Sequence, residues 1–173
     1  MPFTPYHFGP ALLAGVLLFP YFDLVAMLVA SVILDIEPML VLFLNLGGPL
    51  HGITHTYLMA TIVSFIVTGV LWVLRKPMAF FAEIFGIIQE PRKVRILAAS
   101  LFGTYSHVFM DSFLYVEMNP LFPILGNPFL GLIASSLIYQ FCLYCGLIGL
   151  VLYFVRFWIL KKEPGAQNTD PFQ

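Results

Sequence analysis

Two of the four histidines in this chain, His51 and His55, lie four residues apart at the start of a long apolar run, Tyr57 to Leu74. On an α-helix, residues i and i+4 lie on one face with their Cβ atoms about 5–6 Å apart. Two imidazole side chains at that spacing can bind one metal ion or line one pocket. Histidines near a helix end can also form hydrogen bonds with lipid headgroups, so this pair alone leaves both interpretations open.

A second pair, His107 and Asp111, repeats the spacing with a carboxylate in place of one imidazole. Alternatively, Asp111 could simply orient His107 as a buried histidine of the core. The last histidine, His7, precedes the first apolar segment, and two acids, Asp35 and Glu37, lie beside a proline inside an apolar stretch. Asp35 could instead be a structural partner of a helix end, and Glu37 could simply cap the broken segment. Because every histidine falls in these few motifs, the pattern favours one shared site.

Histidine nitrogen together with carboxylate oxygen suits zinc, and also manganese or iron. The two cysteines, Cys142 and Cys145, lie in a distant apolar run and are interpreted as packing residues. We predict one metal site, with one or more ions, whose candidate ligands are His7, Asp35, His51, His55, His107 and Asp111.

Several such ligands with room for water are typical of a catalytic site, where the metal lowers the pKa of bound water and polarises a phosphoryl or carbonyl oxygen. Two metals about 3.5–4 Å apart would suit phosphoester cleavage. The candidate catalytic residues are Asp35 and Glu37, with Glu37 as the general base. A serine-nucleophile mechanism is less well supported, because the chain has no Gly-x-Ser-x-Gly motif.

The composition is that of an integral membrane protein. Hydrophobic residues make up 60% of the 173 residues and charged residues only 10%, whereas soluble domains carry about 25% charged residues. The net charge is −1 and there is no basic run, so the sequence gives no indication of nucleic-acid binding. Membrane lipid is the expected surrounding, in the plasma or inner membrane.

We predict an all-α fold: a polytopic membrane helical bundle with short, broken N-terminal helices and about three full spans. Residues 1–162 form the single helical domain, and residues 163–173 form a disordered polar tail. Pro38 is expected to keep a helix from running through Ile36 and Glu37. The predicted short segments are Ala11–Phe19, Leu24–Asp35 with Asp23 as N-cap, the re-entrant or interfacial segment Met39–Leu46, and the surface-lying helix Ala79–Ile88. The predicted spans are His51–Leu74, Ile96–Tyr115 and Leu130–Leu160.

The basic residues predict an orientation, because cytoplasmic loops of membrane proteins carry an excess of lysine and arginine. The basic clusters are Arg75-Lys76, then Arg92, Lys93 and Arg95, and finally Lys161-Lys162. With all of them on the cytoplasmic side, His51, His55, His107 and Asp111 meet at the outer end of the bundle. His7 joins them if the first two short helices form a hairpin from that side. The site is therefore expected on the extracytoplasmic side.

These motifs resemble the YdjM-type family of inner-membrane-associated metal-dependent hydrolases, which is similar to the zinc-dependent phospholipase C and single-strand nuclease superfamily. The family's Asp-x-Asp element appears here as Asp35-Ile36-Glu37. Its His-Arg-Gly-x-Thr-His element appears as His51-Gly52-Ile53-Thr54-His55, one residue shorter and without the arginine. The resemblance implies a helical fold and a zinc site formed by His7, Asp35, His55, His107 and Asp111.

The leading functional hypothesis is a metal-dependent phosphoesterase that acts on a lipid headgroup or a similar amphiphile. A small ion or metal transporter using the same residues is the main alternative, and a metal-stapled membrane scaffold is a third. A transporter needs polar residues that continue to the cytoplasmic side. The run Tyr57 to Leu74 offers only Thr61, Ser64 and Thr68 for that purpose, which favours the enzyme.

Overall fold

The computed structural model describes residues 5–159, and within them the chain is helical, without β-strands. The predicted tail 163–173 and the basic pair Lys161 and Lys162 lie outside this range. The α-helices are α1 (Phe8–Leu17), α2 (Leu24–Ala30), α3 (Ile36–Phe43), α4 (Tyr57–Val73), α5 (Arg75–Ile84), α6 (Lys93–Ser112) and α7 (Ser135–Phe154). Short 3₁₀-helices at Pro5–His7, Ile33–Asp35 and Ile53–His55 and a π-helix at Val155–Ile159 complete the set.

The N-terminal helices are short and broken, as predicted, but the breaks differ from those expected. Asp23 caps α2 by accepting a hydrogen bond from the Ala26 amide at 2.8 Å. Pro38 does not exclude Ile36 and Glu37 from a helix, because it is the third residue of α3. Backbone amides in the first turn of a helix have no intrahelical partner to lose. The prediction of a non-helical break there is wrong.

Helices α2 and α3, joined by the 3₁₀ turn, form a 20-residue stretch, Leu24–Phe43, that is long and apolar enough to cross a membrane. The predicted separate segment Met39–Leu46 is therefore mostly the second half of this stretch. The predicted helix Leu24–Asp35 is α-helical only as far as Ala30. The α-helical hydrogen bonds are interrupted between these halves, and that interruption is where Asp35 lies.

Helix α4 begins later than predicted, so His51 and His55 do not share a helical face. Thr56 has an extended backbone and caps α4 by accepting a hydrogen bond from the Met59 amide at 3.1 Å. His55 ends a 3₁₀ turn and His51 precedes it. At the other end, α5 turns by 81° from α4 and runs from Arg75 to Ile84, four residues earlier at each end than the predicted helix Ala79–Ile88.

Two described stretches, Leu24–Phe43 and Ser135–Ile159, are long and apolar enough to cross a membrane, and α4 with α5 makes a third if the bent pair is one span. Helix α6 is long enough, but polar residues reduce its apolar character; those fully buried include Ser100, Thr104, His107 and Asp111. The structure thus confirms an all-helical chain with two or three candidate spans.

Helix α6 occupies the centre of the bundle, between α2 and α4, while α1 packs against α7. Close approach depends on glycine at both contacts. A Cβ on Gly103 would lie 2.9 Å from the Met27 carbonyl oxygen, and one on Gly9 would lie 2.0 Å from that of Cys142. This tight packing brings the 3₁₀ turn at Asp35, the loop before α4 and the end of α6 to one place.

Candidate metal centre

Four side chains from three separate segments converge in the interior of the bundle: Asp35, His55, His107 and Asp111. Each can direct one ligand atom to a common position, since these atoms all lie within 4.8 Å of one another. All four residues are at most 1% exposed. The 3₁₀ turn Ile33–Asp35 supplies the first, the 3₁₀ turn Ile53–His55 the second, and α6 the other two.

The shortest distances within this group connect His107 to its neighbours. Its Nε2 lies 3.2 Å from Asp111 Oδ2 on the next helical turn, as the spacing predicted, and 3.6 Å from Asp35 Oδ1. It also lies 3.3 Å from the Nε2 of His55. The Nε2 of His55 is 3.8 Å from Asp111 Oδ2. The four residues therefore form a compact set of two nitrogen and two oxygen donors.

Both histidines have their other ring nitrogen held by an acceptor. His107 Nδ1 lies 2.7 Å from the Ser31 carbonyl oxygen, and His55 Nδ1 lies 3.1 Å from Glu37 Oε2. A carbonyl or a carboxylate can only accept, so each Nδ1 carries a proton, and in the neutral imidazole each Nε2 is left with a lone pair. Two lone pairs that face each other at 3.3 Å repel, and a cation between them removes that repulsion.

The acids give a second indication that a cation belongs here. Asp35 Oδ2 is buried and has no hydrogen-bond partner within residues 5–159. A buried carboxylate without compensation is strongly unfavourable, and Asp111 adds a second carboxylate to the same small space. Donor types, lone-pair directions and carboxylate charge all fit a metal ion. The buried cluster of Asp35, His55, His107 and Asp111 could thus bind one.

Glu37 lies outside the cluster, across the imidazole ring of His55. Its Oε2 accepts hydrogen bonds from the Gly52 amide at 3.2 Å and the Thr54 amide at 3.2 Å, and from the Thr54 hydroxyl as well as from His55. One carboxylate oxygen therefore fixes the loop that carries His55. This geometry is that of a residue which orients a metal ligand, whereas the sequence had suggested Glu37 as a general base.

His7 borders the cluster without being one of its four members. Its Nε2 lies 3.2 Å from Asp111 Oδ1, and its ring stacks on that of His107 with centroids 3.9 Å apart. Burial, followed by the nearby His107, lowers the pKa of His7, so the imidazole is neutral at pH 7. Asp111 thus directs one oxygen to the cluster and the other to His7.

His51 packs against His55 but directs its Nδ1 away, to Glu117 Oε1 at 3.0 Å. Its ring stacks on Tyr115 at 3.6 Å between centroids. Partial burial raises the pKa of Glu117, but the hydrogen bond with His51, backbone hydrogen bonds and the charge interaction with His51 together hold that pKa below its usual value. Like His7, His51 is therefore a predicted ligand that the structure places beside the cluster, and it contacts an acid of its own, Glu117.

Sequence patterns did not identify Ser31, Thr54, Tyr115 or Glu117 as part of the site. The first contributes a backbone carbonyl, which no residue type signals. The acid at position 117 was visible as a charge directly after α6, but its partner His51 lies 66 residues away along the chain. Comparison with family models, with curated proteins and with solved structures gives no match to this chain.

Proposed function

We propose that this chain is an integral membrane, metal-dependent hydrolase that cleaves a phosphoester bond in a lipid headgroup or a similar amphiphile. The observation that carries the proposal is the buried cluster of two histidines and two aspartates, in which the two Nε2 atoms face each other 3.3 Å apart. We place the cluster on the extracytoplasmic side of the membrane, on the distribution of lysine and arginine.

Zinc is the metal we propose, because the donors are nitrogen and oxygen and zinc favours four ligands. Two nitrogens that each lie about 2.0–2.1 Å from a tetrahedral zinc are about 3.3–3.4 Å apart. The observed separation of 3.3 Å between His55 Nε2 and His107 Nε2 supports this choice. Manganese and iron use similar donors and are the alternatives in the metal analysis below.

When bound, the metal supplies Lewis acidity, which activates water and polarises a phosphoryl oxygen. The protein's own residues hold the ligands in place: the Ser31 carbonyl fixes the ring of His107, and Glu37 fixes the ring of His55. Of the two acids proposed for catalysis, Asp35 lies in the cluster and Glu37 does not. We therefore assign the catalytic role to Asp35 and a positioning role to Glu37.

An apolar groove supports an amphiphilic substrate. It has a volume of about 280 Å³ and is lined by apolar side chains of the first three helices and their connection, among them Phe8 and Ile36. These two residues directly follow His7 and Asp35 in the chain. We propose that an acyl chain of the substrate binds in this groove.

The hydroxyl groups between α4 and α6 are the observation that would favour an ion transporter. Ser64 and Thr104 are fully buried and hydrogen-bond to each other at 2.8 Å, one turn of α6 below His107. Further along, however, a buried apolar cluster that includes Val67, Leu71 and Ile96 fills the space between the helices. The polar residues thus do not continue to the basic end, which supports the hydrolase.

The resemblance to YdjM-type hydrolases forms part of the same proposal. The residues that carry it, His7, Asp35, His55, His107 and Asp111, are the four members of the cluster and the histidine beside it. Their convergence from distant positions in the chain supports the idea that the motifs form one site. Membership of that family is proposed on these residues.

The test is the metal content of detergent-purified protein, measured by inductively coupled plasma mass spectrometry. We expect stoichiometric zinc in the wild type and its loss in His55→Ala and Asp111→Ala. Glu90→Ala is the control, because this acid is 86% exposed and should leave the metal content unchanged. A folded wild-type protein that holds no zinc, manganese or iron after reconstitution would contradict the proposal.

The hydrolase activity is tested separately, by release of phosphate monoesters or headgroups from phospholipids and from soluble phosphoesters. We expect turnover by the zinc-loaded wild type and none by Asp35→Asn. If the protein binds metal but shows no turnover, the enzyme assignment is wrong and the protein is a metal-binding membrane protein.

A further inference from the structure

The opposite end of the bundle contains a second feature, formed by two adjoining cavities. One, of about 300 Å³, has polar and charged side chains on its wall: Asp23, Arg75, Glu83, Gln89 and Glu90. The other, of about 400 Å³, is lined by apolar side chains together with Tyr153. Val25, Met78, Ala82 and Ile87 line both cavities. The two cavities therefore adjoin, and together they form a depression with a polar and an apolar part.

This depression is remote from the metal centre. His55 precedes α4 and Arg75 follows it, and the 17 residues of α4 between them span about 26 Å at 1.5 Å per residue. Any ligand of the depression is thus a different molecule from a substrate at the cluster. Its position at the end of α4 is also where the basic residues place the cytoplasmic membrane surface.

The geometry of α5 indicates that the depression lies at the depth of lipid headgroups. Helix α5 runs at 81° to α4, and Phe80, Phe81 and Ile84 are between 57% and 64% exposed on it. A helix with charged residues at its start and exposed aromatic residues on one face is typical of a segment in the membrane interface. The polar cavity then faces the headgroup layer and the apolar cavity faces the acyl chains.

Two opposite charges in the polar cavity have no charged partner within residues 5–159. Arg75 donates one hydrogen bond, to the Trp72 carbonyl at 2.7 Å, and its guanidinium lies 4.5 Å from the centre of the Trp72 ring. Glu83 makes no ion pair in the same part of the chain. By contrast, Asp23 caps α2, and Glu90 lies 3.9 Å from Arg92.

We infer that this depression binds one phospholipid with a zwitterionic, amine-bearing headgroup. Arg75 takes the phosphate, because a guanidinium held against an aromatic ring still offers several donors to phosphate oxygens. Glu83 takes the ammonium, and an acyl chain fills the apolar cavity. Because Asp23 caps α2 and Glu90 pairs with Arg92, Glu83 is the carboxylate left to face a headgroup beside Arg75, and it disfavours a headgroup with net negative charge. The inference depends on the proposed membrane location but not on metal binding or hydrolysis.

The experiment is native mass spectrometry of the full-length protein released from detergent, after titration with phosphatidylethanolamine or phosphatidylglycerol of identical acyl chains. We expect one retained phosphatidylethanolamine and weaker retention of phosphatidylglycerol. Arg75→Gln should weaken phosphatidylethanolamine binding by about tenfold, the order of one charge-assisted hydrogen bond. Glu83→Gln should abolish the preference between the two lipids. Lys76→Gln is the matched control, since this neighbouring basic residue does not line the cavity, and it should bind like the wild type.

Ala82→Phe tests the apolar part, because Ala82 lines both cavities and is 8% exposed. The larger side chain should displace the lipid, while thermal unfolding reports whether the variant remains folded. Equal retention of both lipids by the wild type, or the same loss in Lys76→Gln as in Arg75→Gln, would overturn the inference. Because the readout is lipid mass, a protein without metal can still bind the lipid, and the two proposals can fail separately.

Discussion

Replacing Glu37 by alanine should weaken metal binding without removing any of the four candidate ligands. The carboxylate accepts four hydrogen bonds at Oε2, and one of them holds the ring of His55. A hydrogen bond to a charged acceptor contributes about 1.5–3 kcal/mol. Loss of a residue that orients a metal-binding histidine typically costs about 10–100-fold in metal affinity. We therefore expect a 10–100-fold rise in the zinc dissociation constant of Glu37→Ala.

Glu37→Gln separates the possible roles of this residue. Its amide oxygen can still accept from His55 but no longer carries a charge, so the zinc dissociation constant should rise by less than in Glu37→Ala. The assay is competition with a chromophoric chelator in detergent, with Glu90→Ala as the control and thermal unfolding of the metal-free proteins as the measure of folding. Unchanged zinc affinity in both variants together with lost hydrolysis would refute the positioning role and return Glu37 to the role of general base.

Four further substitutions test the packing of the bundle. Gly9→Ala should lower the free energy of unfolding by about 1–3 kcal/mol, as overpacking does, because its Cβ would meet a carbonyl oxygen of α7. Gly69→Ala, with open space around it, should instead be neutral or stabilising by up to about 1 kcal/mol. Both free energies are measured by chemical denaturation. Ser64→Ala should cost about 1 kcal/mol and leave zinc content unchanged, and loss of zinc would indicate that the hydroxyl groups belong to an ion path. Asn127→Asp should lower the unfolding temperature, because the Asn127 amide donates to the carbonyls of Ser112, the last residue of α6, and of Tyr115, and a carboxylate there cannot donate. An unchanged temperature would contradict this role.

The sequence was sufficient for the helical class and for much of the candidate site. Apolar composition and long apolar runs predict helices, because only a helix satisfies every backbone polar group within its own segment in an apolar surrounding. The spacing of His107 and Asp111 predicts their contact for the same local reason: both lie on α6, and helical geometry alone brings them to 3.2 Å. Zinc, phosphoester substrate and orientation in the membrane remain predictions.

The roles of His51 and His55 depended on where α4 begins. Their spacing satisfies the helical rule, but Thr56 starts the helix after them and places the pair in a 3₁₀ turn and the preceding loop. An N-cap of this kind contributes only about 0.5–2 kcal/mol of stability. Local sequence therefore does not decide whether the helix starts at Thr56 or earlier. As a result, His55 faces the cluster while His51 turns its Nδ1 to Glu117.

What only the tertiary structure decided is which side chains share the centre and which ones hold them. Asp35 meets His107 across 72 positions of the chain, and Ser31 orients His107 across 76. Such contacts follow from the packing of α2 against α6, which a close glycine contact allows. No local pattern records that contact, because packing depends on how distant surfaces fit together. The sequence by itself determined which chemical groups are available, and the fold determined that Asp35 lies in the cluster while Glu37 holds the ring of His55.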